Sequence, residues 1–139
     1  MKKSLILILV FALAVSIGLA FSVSGQEKAK ETGPFTIARA VVGTGVENSE
    51  PAGAAEAFPA STEKVYCFIE ATNITKDTKI SVVWFYGDKE MLKFNLPLKA
   101  GSKWRTFANK NLRGMKGDWK VEIKDAEGNL VKDVKFRVE

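Results

Sequence analysis

The sequence predicts an all-β domain, an antiparallel sandwich of about seven strands behind an N-terminal signal helix. Three observations predict it. From Phe35 onward, apolar residues recur with a period of two in most segments, as they do where alternate side chains face a core. Turn-forming Gly, Asp, Asn and Pro residues separate those segments at short intervals. No stretch beyond the leader sustains a helical period. Short strands so spaced suit an immunoglobulin-like β-sandwich.

The chain opens with Lys2 and Lys3, an uncharged apolar run from Leu5 to Val23, and small residues at Ser22, Ser24 and Gly25. That order is the anatomy of a secretory signal over residues 1–25. The expected location is periplasmic or secreted. The alternative is an uncleaved inner-membrane anchor over residues 5–23, which approaches a bilayer-spanning length. Membrane contact is expected only in that case. Residues 26–34 read as a flexible lead-in, and residues 35–139 as one sandwich domain.

Within that domain the first strand candidate is "FTIARAVV" (Phe35–Val42). "KVYCFIEAT" (Lys64–Thr72) is apolar with a polar end, and "KISVVWFYG" sets Ile80, Val82, Trp84 and Tyr86 on one parity. "EMLKFNLP" aligns Leu92, Phe94 and Leu96, and Pro97 closes it. "KWRTFANK" sets Trp104, Thr106 and Ala108 against Arg105 and Phe107. "DWKVEIKD" alternates most cleanly, with Trp119, Val121 and Ile123 inward, and "DVKFRVE" repeats it with Val134, Phe136 and Val138. Gly87-Asp88 and "DAEGN" (Asp125–Asn129) read as hairpin turns. The stretch from Gly43 to Glu63 has little period of its own and reads as a crossover between sheets. "AAEAF" within it could form a short helical turn, with Phe58 as its anchor. Its opening "GTG" lacks the third glycine of a dinucleotide loop, because Asn48 stands there.

Composition excludes several chemistries. The chain has no histidine and one cysteine, so it holds no Ser-His-Asp or Cys-His machinery and no His-ligated or multi-thiolate zinc site. No catalytic residue, metal ligand or cofactor is expected. Cys67 lies among apolar neighbours with no activating histidine, and reads as core or as half of an interchain disulfide. The net charge of +5 is mild and its lysines alternate with apolar residues, which argues against nucleic acid as a partner. "NIT" at Asn73 is a glycosylation sequon, expected to go unused behind a bacterial-looking leader.

If Val65, Cys67 and Ile69 face inward, Tyr66 and Phe68 face outward. They are then either covered by the long connection or form a binding patch. Trp84 and Trp119 read as core. Trp104 reads as core rim or as a ligand platform. Arg105, beside aromatics, can stack on rings or fork onto carboxylates and phosphates, or can pair with a neighbouring acid. The candidate ligand-binding residues are therefore Tyr66, Phe68, Trp104 and Arg105.

The blocks "ARAVVGTGVENSEPAGAAEAFPASTEKVYCFIEATN", "VVWFYGDKEM", "LPLKAGSKWRTFANKNL" and "GDWKVEIKDAEGNLV", in that order, resemble the bacterial domain of unknown function family 2914. The resemblance spans Phe35 to Val138, and the hallmark positions match Cys67 and Phe68, Trp84 with Tyr86, and Trp104-Arg105-Thr106. It implies a small exported or membrane-linked β domain and no activity. The expected function is a non-catalytic envelope module that binds or assembles with an envelope protein or glycan. The alternative is a carboxylate-based glycan-acting enzyme, which needs two acids facing one cleft. Glu47, Glu50, Glu56 and Glu63 share the long connection as candidates.

Overall fold

Alternation is most regular where both faces are spoken for. From Gly117 to Lys124, Trp119, Val121 and Ile123 are buried while the residues between them are partly exposed. The computed structural model describes residues 33–139. The leader at 1–25 and nearly all of the lead-in at 26–34 lie outside the described residues. Ten strands follow: β1 (Thr36–Gly43), β2 (Gly45–Glu47), β3 (Glu50–Ala52), β4 (Ala57–Phe58), β5 (Lys64–Ile74), β6 (Thr78–Tyr86), β7 (Lys89–Leu98), β8 (Gly101–Asn111), β9 (Gly117–Lys124) and β10 (Leu130–Val138). The seven long strands are those expected from the sequence. No described residue is helical, and among these residues no helix is long and apolar enough to cross a membrane.

A three-stranded sheet has the order β1-β5-β8, and a five-stranded sheet the order β4-β10-β9-β6-β7. Pairing is antiparallel throughout except for the short β4–β10 contact, which is parallel. One core joins the two sheets. Val42, Val65, Cys67, Ile69 and Ala108 come from the first, and Ile80, Val82, Trp84, Trp119, Val121, Ile123 and Phe136 from the second. Trp84 and Trp119 are buried as expected. Phe136 stacks on Trp119 at 6.0 Å and meets Trp84 edge-on at 6.3 Å. These aromatic pairs add directional preference to the area they bury.

Both expected hairpins are present. Tyr86 pairs with Lys89 across Gly87-Asp88, and Gly87 has φ 61°, the left-handed conformation that two-residue hairpin loops demand. In the second, the Asp125 carboxylate accepts from the Glu127 and Asn129 amides at 3.0 and 2.9 Å. Pro97 does not end its strand, which continues to Leu98. The strand tolerates it because β7 is the sheet's edge.

The connection from Gly43 to Glu63 departs most from expectation. β2 and β3 form their own small hairpin. "AAEAF" is not helical. It ends in β4, which lies beside β10 and sends Phe58 edge-on against Phe136 at 5.8 Å. The first glycine of "GTG" serves close packing, since a β-carbon on Gly43 would collide with the Ala52 carbonyl.

Candidate functional site

Register determines what can share a surface. Directly opposed residues of antiparallel strands lie on the same face. Glu70 of β5 is opposite Arg39 of β1 and Arg105 of β8. Phe68 is opposite Val41 and Phe107, and Tyr66 is opposite Gly43 and Asn109. These residues form the outer face of the three-stranded sheet, because their neighbours Val65, Cys67 and Ile69 fill the core. Trp104 is opposite Ala71 on the inner face. Of the four residues singled out by sequence, Tyr66, Phe68 and Arg105 thus share one face and Trp104 belongs to the other. Trp104 packs against the core edge, its indole N–H buried without a hydrogen-bond partner among the described residues.

The outer face carries a closed set of two arginines and two glutamates. Arg39 donates to Glu70 at 2.7 Å and to both Glu50 oxygens at 3.0 Å. Arg105 donates to Glu70 at 3.2 Å, lies 3.2 Å from Glu50, and reaches the Ser49 carbonyl at 3.3 Å. Glu50 begins β3 and Ser49 precedes it, so the set fastens the small hairpin onto the sheet. Hydrogen bonds from Arg39 hold both glutamates below the usual carboxylate range, and raise Arg39 in turn. Arg105 therefore pairs with neighbouring acids, the plainer of the two roles open to it.

Phe68 is 1% exposed. The Arg39 guanidinium stands 5.1 Å over its ring, a cation–π contact, and β2 and β3 pack against β5. The long connection covers Phe68 through this hairpin, while Phe58 is spent in the core. Tyr66 is partly exposed, and its ring meets Phe107 edge-on at 5.7 Å. Phe107 is 45% exposed. What faces solvent here is thus an aromatic pair, Tyr66 and Phe107, beside a charge cluster whose arginines are occupied. Phe107 escaped the sequence reading although β8's alternation sets it with Arg105. Arg39 and Glu70 escaped it, and Glu50 was read only as a candidate catalytic acid, because a rung across three strands is visible only once register is known.

Cys67 is fully buried, and burial pushes its thiol up to about 12, which suppresses the reactive thiolate. Among the described residues no cluster of His, Cys, Asp or Glu is placed to hold a metal ion. The long connection's acids are dispersed: Glu50 is committed to arginines, and Glu56 lines an open groove of about 590 Å³ with Asp88 and Asp118. The floor of that groove includes Trp119 and Phe136, and Asp118 is paired with Arg137 at 2.9 Å.

Residues 77–138 match the family described as "Protein of unknown function (DUF2914)". The match covers β6 to β10 and omits β1 and β5, so it is shorter than the resemblance read from the sequence. No curated protein matches the chain. Among solved structures, a beta-glucosidase from Listeria innocua in complex with glucose has 9% identity and a TM-score of 0.47, over 75% of this chain and 15% of that one. A beta-glucosidase from Kluyveromyces marxianus has 11% identity and a TM-score of 0.44, over 76% and 14% respectively. This chain therefore spans about a seventh of the length of either enzyme.

Proposed function

From the match of residues 77–138 to the DUF2914 family model, we propose that the chain is a non-catalytic binding or assembly module of the cell envelope. Its recognition surface is the outer face of β5 and β8, centred on Tyr66 and Phe107. The exposed aromatic pair carries this reading. Two rings held on a rigid sheet lose little conformational entropy on binding and offer apolar faces to a sugar ring or an apolar side chain. Arg39 and Arg105 act as positioning residues that hold the hairpin beside the pair. The fold proposed for this scaffold is immunoglobulin-like. Two sheets of order β1-β5-β8 and β10-β9-β6-β7 support it, as does a core tryptophan on β6. The domain is exported, periplasmic or secreted after cleavage, or held at the inner membrane by residues 5–23.

The test is retention of purified protein on envelope material, intact and after protease digestion. Wild type should be retained and the double variant Tyr66→Ala, Phe107→Ala should not, while the variant still unfolds cooperatively at a modestly lower midpoint, since a cross-strand aromatic contact is lost. Survival of retention after digestion assigns a glycan ligand, and its loss assigns a protein. Equal retention of wild type and double variant would remove this surface from the proposal. The groove favours a second reading, a glycan-acting enzyme using Glu56, Asp88 or Asp118. That reading requires glycan cleavage that disappears in Asp88→Asn or Glu56→Gln.

A further inference from the structure

We propose that β7 is a homodimer edge, at which two copies pair antiparallel about a two-fold axis through Phe94. Among the described residues β7 ends the five-stranded sheet, with β6 on one side and no strand bonded on the other. Its core-side residues are left uncovered there. Phe94 is opposite Val82 and Leu92 opposite Trp84, both fully buried, yet Phe94 is 37% and Leu92 36% exposed. A ten-residue edge with two exposed apolar side chains on one face is a template for another strand.

The sequence of the edge selects both occupant and register. Pro97 has no N–H, so its position must face away from the β6 ladder. By alternation, Lys93 and Asn95 turn their peptide groups the same way, toward the open edge. With Phe94 on the axis, Lys93 is opposite Asn95 of the second copy and forms the bonded pairs. Phe94 then meets Phe94, and Leu92 meets Leu96 of the second copy, giving an apolar ladder beneath the junction. Other registers lose something. An axis at Lys93 opposes two lysines. An axis at Asn95 places Lys93 against Pro97 and forfeits a bond. An axis at Leu96 sets Lys93 against Lys99 and Asn95 against Pro97. An axis at Leu92 sets Phe94 against Glu90. The strand is thus self-complementary in one register, and Lys93 and Pro97 guard against the rest. This contact is smaller than the roughly 1,600 Å² of a standard interface, so the dimer is reversible and depends on concentration.

Cysteine cross-linking of the full chain in intact cells, with mild oxidant, tests it. Opposed residues in a non-bonded antiparallel pair have Cα atoms about 4.5 Å apart, within disulfide reach, and the buried Cys67 stays silent. Phe94→Cys should give a dimer band on a non-reducing gel. Leu92→Cys alone should not, but coexpressed with Leu96→Cys it should. Lys132→Cys, on exposed β10, is the control. Adding Lys93→Glu to Leu92→Cys and Leu96→Cys should leave their cross-link intact, since Lys93 then faces Asn95. No dimer from either Phe94→Cys or the Leu92/Leu96 combination, with folded protein present, overturns the proposal. So does a self-cross-link of Leu92→Cys matching that of Phe94→Cys, or capture of a different protein in place of the second copy.

Discussion

Cys67 occupies the inner side of β5 at zero exposure, and burial disfavours its thiolate. Labelling by a thiol reagent should therefore be slow in the folded protein and fast in denaturant. Immediate labelling under native conditions would contradict the packing described. Cys67→Ala should destabilise the domain by about 1–3 kcal/mol, for a small buried side chain lost, and should leave envelope retention intact. Alternation made Cys67, Trp84 and Trp119 legible as core, because each lies in a run whose neighbours agree. It could not tell whether the outward Phe68 was free or covered, since the cover comes from residues far along the chain. Nor did it find Lys110, which follows Trp104, Thr106 and Ala108 on the inner side of β8. There its ammonium donates to the Asn111 carbonyl at 2.7 Å and stands 5.6 Å over Trp119, and burial lowers its pKa.

The β2–β3 hairpin is the element least visible in the sequence. Its strands are three residues each, too short for a period to register, and its turn uses Asn48 and Ser49 at positive φ in place of glycine. It is held where it lies by Glu50, the ion-pair partner of two arginines on two other strands. That attachment should depend on pH. Glu50 and Glu70 have folded pKa values below their unfolded ones. The stability they contribute is therefore present above the ordinary carboxylate pKa of about 4.3 and is lost as pH falls through the depressed values. Glu70→Gln should lower the unfolding midpoint at neutral pH and flatten its decline in acid. A variant whose acid profile superimposes on wild type would show that the cluster adds no pH-dependent stability. Arg105→Ala should loosen the hairpin while Arg39 still holds Glu70, so protease nicking near Ser49 should rise before global unfolding does.

At the scale of the whole molecule, the family match and the folding unit differ in extent. Residues 77–138 supply the five-stranded sheet except β4, but only β8 of the opposing sheet. A sheet needs a second layer to bury its apolar face, and β1 and β5 provide most of it. Residues 77–138 made alone should therefore lack a dispersed amide spectrum, whereas residues 34–139 should show one. A well-dispersed spectrum from the shorter piece would mean the layer is dispensable. Export is testable separately: residues 1–30 fused to a reporter active only outside the cytoplasm should switch it on, and silence would count against the leader. The two-sheet plan followed from seven periodic segments, but which strands adjoin did not. In the three-stranded sheet no two neighbours are consecutive in the chain, and the segment around β4 is bonded to the far end of the domain. There Arg137 donates to the Glu56 carbonyl, Glu139 to that of Phe58, and Ala60 to that of Glu139. The backbone of residues 56–60 thus gains these partners only when residues 137–139 are in place, so β10 must be present before that edge of the five-stranded sheet can form.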